Sequence, residues 1–443
     1  IILSDFMEEH QINIRMFRPM ESYQKYGGVL TFARSVGYAV VKKPEGYTTA
    51  KVDQIIQEYE KKSANEQQST AKQYPNIITV VNETFADIKV LGDFKTNEDY
   101  MPYFHSLKKN CVTGYTYASI VGGQTANTEF ELLTGNTLGF LSAGTTAFQL
   151  YIHGQMPSLV SNLKAEGYSG NKAMHPFNPY NYNRPAVYKD FGFTDFIDKF
   201  DFPKNVKRVR EYISDEANVD RIISEYEKNR KKTDQPFYMY NMTIQNHSPY
   251  DKDAANFKQP IKIESSKYDA EANRYLNLIK YSDDSLKQLT SYFEKCKEPT
   301  IILFLGDHQP RLTDEFMNKI TNGQYQTWSS EQMMKRYQVP FVIWANYDIK
   351  EQHIEKTSMN YIQSILTKTA GVKMTGYQRF LNEVRKEVPT ITSQGYWGKN
   401  GKFYQINDKG SPYYGIIQKY RMIQYNMMFD KKNRRDSFFE VSK

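Results

Sequence analysis

Pro299-Thr300-Ile301-Ile302-Leu303-Phe304-Leu305-Gly306-Asp307-His308-Gln309-Pro310 is an apolar, β-branched run between two prolines, and it ends in an acid and an imidazole. Pro75-Asn76-Ile77-Ile78-Thr79-Val80-Val81-Asn82-Glu83-Thr84-Phe85 has the same form and also ends in an acid. Apolar runs of this length, bounded by turn residues, read as strands buried on both faces of a parallel sheet. Such sheets bind ligands beyond the carboxyl ends of their strands. The two runs therefore predict an α/β fold, a mainly parallel central sheet flanked by helices. Glu83, Asp307 and His308 would emerge together at one edge of it.

Between the two strands lies Gly122-Gly123-Gln124-Thr125-Ala126-Asn127-Thr128-Glu129-Phe130-Glu131-Leu132-Leu133-Thr134-Gly135-Asn136. The two glycines allow a sharp turn and close approach of a ligand. Residues 125–133 read as the first turns of a helix, with Thr125, Asn127 and Thr128 as candidate N-caps and Glu129 and Glu131 favoured by the helix dipole. A hydroxyl placed there points into free N–H groups and positive potential, which suits a nucleophile that attacks and then holds a phosphate. Taken alone, the stretch reads more simply as an ordinary capped helix after a glycine turn. Taken with the strand ends, Glu83, Thr125, Asp307 and His308 make a four-ligand set for a divalent metal.

The order Asn82-Glu83-Thr84-Phe85, then Gly122-Gly123-Gln124-Thr125-Ala126-Asn127-Thr128-Glu129-Phe130, then Gly306-Asp307-His308 resembles the lipoteichoic acid synthase-type phosphoglycerol transferases of the alkaline phosphatase/sulfatase superfamily. The likeness runs over about residues 75–370. It implies an extracellular catalytic domain that transfers glycerol phosphate from phosphatidylglycerol to an envelope acceptor. That acceptor is a teichoic acid chain, a glycolipid or a wall polysaccharide. Thr125 would be the nucleophile and would carry glycerophosphate, with Glu83, Thr125, Asp307 and His308 holding the metal. The resemblance suggests Mn²⁺; the ligand types alone also allow Mg²⁺ or Zn²⁺.

The proline- and asparagine-rich stretch from His175 to Arg184 is a loop. The family carries a histidine and then Trp-Asn-Arg at this spacing, and these residues bind the substrate headgroup. His175, Asn183 and Arg184 match, and Tyr182 stands in place of the tryptophan. An arginine fork suits a phosphate, although an Arg pinning a loop to a carboxylate is the plainer reading of the residues. His247 follows a strand at 235–244 and precedes a proline turn, where the family places a histidine facing the phosphate. It would bind the phosphate or act as general acid/base, since its reference pKa is about 6.5.

The chain has 443 residues, which the spread of the motifs assigns to one large α/β domain with additions at both ends. The expected division is 1–74 as a membrane-proximal segment, 75–382 as the catalytic domain, and 383–443 as a small β-rich subdomain closed by a helix at 417–429. A strand is expected at 38–41, helices at 49–62, 155–167, 214–228, 271–296 and 359–369, and a polar insertion at 314–335. Asp283 and Asp284 read as surface charges on the long helix. The net charge of +8 fits an anionic partner such as acidic lipid or a phosphate polymer. No compact basic helix or aromatic RNA-binding signature supports nucleic acid.

Two cysteines, Cys111 and Cys296, make no disulfide framework. No run reaches the roughly 18 to 20 apolar residues that span a bilayer. The chain begins at Ile1 without a signal peptide and reads as an excised soluble piece. The resemblance implies membrane helices before it and a place on the outer face of a Gram-positive cell membrane. A sulfatase would need a Cys or Ser followed by x-Pro-x-Arg, and Thr125-Ala126-Asn127-Thr128-Glu129 lacks it. The remaining alternatives are a phosphoethanolamine transferase of the same superfamily and a catalytically silent module that binds teichoic acid or anionic lipid.

Overall fold

Eight strands form one sheet: β1 (Asn76–Asn82), β2 (Cys111–Tyr117), β3 (Ser169–Met174), β4 (Asp195–Ile197), β7 (Phe237–Met242), β8 (Thr300–Gly306), β9 (Gln338–Ala345) and β10 (Gln352–Ser358). A computed structural model describes residues 19–31, 41–63, 73–264 and 269–441. The sheet order is β10-β2-β9-β8-β1-β7-β3-β4, parallel throughout except at β9, which runs against both β8 and β2. Between β4 and β7 a short hairpin, β5 (Arg208–Val209) and β6 (Tyr212–Ile213), stands apart from the sheet. A small antiparallel sheet of β11 (Thr390–Thr392), β12 (Gly395–Trp397) and β13 (Phe403–Tyr404) lies near the end of the chain.

β1 and β8 are the two quoted runs, and every residue of both is buried. They pair in parallel from Asn76 with Thr300 to Asn82 with Gly306, so Glu83 and Asp307 leave the sheet side by side. Gly306 is required there: a Cβ on it would lie 1.8 Å from the Phe85 carbonyl oxygen. β7 and β3 continue the parallel array on the other side of β1 and deliver the segments that hold His247 and His175.

The helices used below are α1 (Pro19–Tyr26), α2 (Thr49–Ser63), α3 (Pro102–Ser106), α4 (Thr125–Thr134), α5 (Leu159–Ala165), α6 (Arg184–Phe191), α7 (Asp215–Arg230), α8 (Ala270–Phe293), α9 (Asp314–Ile320), α10 (Met359–Thr369), α11 (Gly376–Glu387) and α12 (Tyr414–Met428). α7 packs on α8, α4 on α10, and α2 on both α11 and α12. One hydrophobic cluster runs from Val52 and Ile55 through Ile77 and Leu303 to Ile417 and Ile423.

Several local expectations change. The helix expected from residue 155 starts at Leu159, because Pro157 and the Ser158 cap, which accepts from Ser161 N, define its beginning. β2 and β10 mix polar residues with apolar ones and are not evident from hydrophobic pattern. The polar insertion at 314–335 contains α9, which buries Phe316, Met317 and Ile320. Around residue 383 the chain is helical, inside α11, before the small sheet begins. Asp283 is buried, not a surface charge: its carboxylate accepts from the Tyr103 and Phe104 backbone N–H groups at 2.9 and 2.7 Å, and so ties α8 to the start of α3. Cys111 and Cys296 are both free. Of the strand expected at 38–41, residues 38–40 lie outside the described residues.

Candidate active site

A cavity of about 180 Å³ opens beyond the carboxyl ends of β8, β1, β7 and β3. Glu83, Thr125, His175, Tyr182, Arg184, His247 and His308 all line it. Asn183 does not. It caps the start of α6 in a left-handed conformation (φ 58) and is exposed, and Asn181 takes the place in the wall. Tyr182 is left-handed as well (φ 61), so two consecutive non-glycine residues hold an uncommon backbone at the rim.

Asp307 Oδ1 accepts from the backbone N–H groups of Thr84 (2.7 Å) and His308 (2.8 Å), which fixes the carboxylate. His308 Nδ1 lies 2.9 Å from the Gln309 carbonyl oxygen, which can only accept. The proton therefore sits on Nδ1, and Nε2 presents a lone pair. That Nε2 is 3.2 Å from Asp307 Oδ2 and 3.8 Å from Glu83 Oε1. Asp307 Oδ2 and His308 Nε2 are buried and have no hydrogen-bond partner. Ligand atoms of Glu83, Asp307 and His308 all come within 4.8 Å of one another. Converging lone pairs in a buried place are costly without a cation between them. Burial, and then the charge of Asp307, pushes the Glu83 carboxyl above its ordinary value. The trio fits a divalent metal with mixed N and O ligation.

Thr125 is the first residue of α4 and is buried. The N-cap is Gln124 (φ 66), which makes no side-chain cap bond, so none of Thr125, Asn127 and Thr128 caps the helix. Gly122 (φ 67), Gly123 (φ 142) and Gln124 form the turn that leads in. The neighbouring polar side chains are spoken for. Asn127 donates to the Thr145 carbonyl and accepts from Ala147 N, and Thr128 Oγ1 donates to the Asp307 carbonyl at 2.8 Å. Thr125 is left with its hydroxyl on the cavity wall.

Glu129 and Glu131 do not sit in the first turn, and their partners are side chains and backbone groups. Glu129 Oε1 accepts from Arg184 Nε at 3.1 Å and Nη2 at 2.7 Å. Glu129 Oε2 accepts from Tyr240 Oη at 3.2 Å and from Tyr188 Oη. This pins Arg184 in the core while its guanidinium still reaches the cavity and lies 5.0 Å from the Tyr182 ring. Glu131 accepts from Ser119 Oγ, Thr137 Oγ1 and Leu138 N, and burial pushes its carboxyl up to about 7.

His175 Nδ1 donates to the Met242 carbonyl at 3.0 Å. Burial, reinforced by Arg184, holds its ring well below the ordinary histidine range, so it is neutral. His247 is half-buried, and Nδ1 faces the Ser248 carbonyl at 2.7 Å, which leaves Nε2 as the free lone pair. Burial lowers its pKa also. Phe177 stacks near it, with ring centroids 6.2 Å apart. The sequence reading missed Glu129 as the partner of Arg184. It also missed the wall residues Thr84, Gln124, Phe177, Asn181, Tyr250 and Arg311. Only the tertiary fold brings these together.

A family model described as Sulfatase matches residues 75–372. A Rhizobium meliloti (strain 1021) protein named for cyclic beta-1,2-glucan modification is 30% identical over 433 residues, 96% of this chain and 65% of its own length. The chain spans 65% or less of the length of the curated relatives it matches, among them a lipoteichoic acid synthase-like protein of Bacillus subtilis (36%). Among solved structures, Streptococcus pyogenes phosphoglycerol transferase GacH in complex with sn-glycerol-1-phosphate aligns with a TM-score of 0.72 at 20% identity, over 91% of this chain and 100% of that one. Lipoteichoic acid synthase LtaP of Listeria monocytogenes aligns with a TM-score of 0.61 at 19% identity, over 88% and 98%.

Proposed function

The chain belongs to the sulfatase family, and from that premise we propose that it transfers glycerol phosphate from a phosphatidylglycerol-type lipid to a hydroxyl of a cell-envelope glycan, with Thr125 as covalent carrier. The observation that carries this reading is a helix-start threonine on the same cavity wall as Glu83 and His308, whose buried cluster with Asp307 leaves Asp307 Oδ2 and His308 Nε2 unpaired. Names of relatives support the class of reaction. The relative that matches nearly the whole chain is named for modifying a glucan, which favours a sugar hydroxyl as acceptor over a growing glycerophosphate chain. The rings of Phe177 and Tyr182 on the cavity wall, with Tyr212 against Phe177, suit a sugar.

Glu83, Asp307 and His308 would hold the metal with Thr125. A bound Mn²⁺, Mg²⁺ or Zn²⁺ supplies positive charge that lowers the pKa of a hydroxyl and offsets charge on phosphoryl oxygens. In the first half-reaction the Thr125 oxygen forms a bond to phosphorus, and the bond from phosphorus to the diacylglycerol oxygen breaks. The proton lost by Thr125 is balanced by the one gained by diacylglycerol, and His247 Nε2 is the free base on the wall to carry it. In the second, an acceptor hydroxyl attacks phosphorus, the Thr125 oxygen leaves, and the proton passes the other way. Arg184, oriented by Glu129, and neutral His175 would orient the phosphoryl oxygens.

The test is intact-protein mass spectrometry with peptide mapping after incubation with Mn²⁺ and a fluorescent phosphatidylglycerol, with release of diacylglycerol followed in parallel. A glycerophosphate adduct on Thr125, lost with EDTA, is the expected result. A protein that binds the metal yet gives neither adduct nor release would overturn the reading. Release from phosphatidylethanolamine instead would assign the phosphoethanolamine alternative. The full protein, on this reading, works at the outer face of the cell membrane.

A further inference from the structure

The hairpin of β5 and β6 carries none of the residues singled out in the sequence, yet its turn reaches the segment that holds His247. Arg210 sits in that turn with a left-handed backbone (φ 56), which a non-glycine residue seldom adopts. It is half-buried. Two of its three guanidinium nitrogens are spent on backbone, while Nε is buried without a hydrogen-bond partner. Nη1 donates to the Pro249 carbonyl at 2.6 Å, and Nη2 donates to the Gln245 carbonyl at 2.8 Å and the His247 carbonyl at 2.7 Å. Three acceptors within five residues of one loop are thus gathered by one side chain.

The hairpin is itself anchored. Arg210 N donates to Asn256 Oδ1 at 3.2 Å, and Asn256 Nδ2 donates to the carbonyls of Arg208 and Arg210 at 3.1 and 3.0 Å. The guanidinium also lies over the Tyr212 and Tyr250 rings, 5.3 and 5.7 Å from their centroids. From the same hairpin Tyr212 places its ring 5.7 Å from the His247 ring and its hydroxyl 3.4 Å from Nδ1. Phe177 stacks on the His247 ring as well and also meets Tyr212, with ring centroids 6.1 Å apart.

We propose that Arg210 is a positioning residue for the transfer reaction: by bonding the Gln245, His247 and Pro249 carbonyls it fixes the loop so that His247 faces the reacting phosphate. The proposal rests on the role given to His247 under Proposed function. A planar fork with several donors is the group suited to hold several carbonyls at once. Lysine keeps the charge but offers no fork. Errors of about 1 Å in a group that must meet a reacting atom cost rate far more than binding.

The experiment is a double-mutant cycle on the metal-loaded protein, with release of diacylglycerol from phosphatidylglycerol as readout and Thr125→Ala as blank. Arg210→Met is expected to lower kcat about 10- to 100-fold with KM changed less than about twofold, since the acid/base contribution it orients is worth about 10² to 10⁴. Arg210→Lys is expected to recover part of the loss. In a His247→Gln background the Arg210→Met change should cost less than about twofold, because the group it positions is already gone. Equal losses in both backgrounds, or a kcat for Arg210→Met within twofold of the parent, would overturn the proposal. If Arg210→Met does not fold, the cycle is run with Arg210→Lys, and the same non-additivity decides it. A parent protein that releases no diacylglycerol refutes the functional reading, whereas an active parent with an additive cycle refutes only the role of Arg210.

Discussion

Thr125 contributes an oxygen to the cavity and little to the packing of α4, which Asn127 and Thr128 hold through their own bonds. Thr125→Ala should therefore keep its stability within about 1 kcal/mol of the parent and, if Thr125 is the proposed nucleophile, lose turnover by about 10³-fold or more. Thermal unfolding and a phospholipid assay on the same sample check both halves. Glu129 is the opposite case. It lies at the hub of Arg184, Tyr188 and Tyr240 and is fully buried. Glu129→Gln leaves the guanidinium without its counter-charge and should cost about 3–5 kcal/mol of stability, read as a lowered denaturation midpoint, with loss of donor use in whatever fraction stays folded. The two residues differ in legibility for a physical reason. Glu83, Thr125, Asp307 and His308 could be picked out because their chemistry is rare at such positions. The engagement of Glu129, the burial of Asp283 and the exchange of Asn181 for Asn183 in the wall depend on partners more than twenty residues away or on a backbone kink.

Among the elements, β1 and β8 were readable because burial on both faces writes an unbroken apolar run. β2 and β10 were not. Cys-Val-Thr-Gly-Tyr-Thr-Tyr and Gln-His-Ile-Glu-Lys-Thr-Ser lie at one side of the sheet, where part of each strand meets solvent and the run dissolves. The β5–β6 hairpin, with two residues in each strand, is too short for any periodic signal. At the end of β8, the approach of Phe85 to Gly306 gives an element-level prediction. Gly306→Ala places a methyl 1.8 Å from a carbonyl oxygen belonging to rigid backbone, so β1 and β8 must separate locally. The expected result is a loss of several kcal/mol, on the scale of overpacking or more, and, on the proposed reading of the metal trio, loss of divalent-metal binding by calorimetry. Retention of both melting temperature and binding would contradict the strand register.

Across the whole molecule, α2 packs against α11 and α12, so residues more than three hundred positions apart share one core. Stability should also respond to charges that do not line the cavity. His105 in α3 is one such group: the carboxylates of Asp87 and Asp99 hold its imidazole up at about 9. A folded-state value above the unfolded one of about 6.5 means that its contribution is complete below pH 6.5 and is lost as pH rises through 9. His105→Asn should lower the melting temperature at pH 6 and make little difference at pH 9.5. An equal effect at both values would show that the histidine stays neutral.

The cavity draws Glu83, His308 and Thr125 from the ends of adjacent strands and the start of a helix, while Phe177 and Tyr182 on its wall come from the 175–184 loop. Heredity therefore cannot treat the two separately: the same loop carries His175 and Arg184, which the proposed reaction needs. On that reading a lineage can redraw the recognition surface by exchanging single rings such as Tyr182, but not by cutting the loop out.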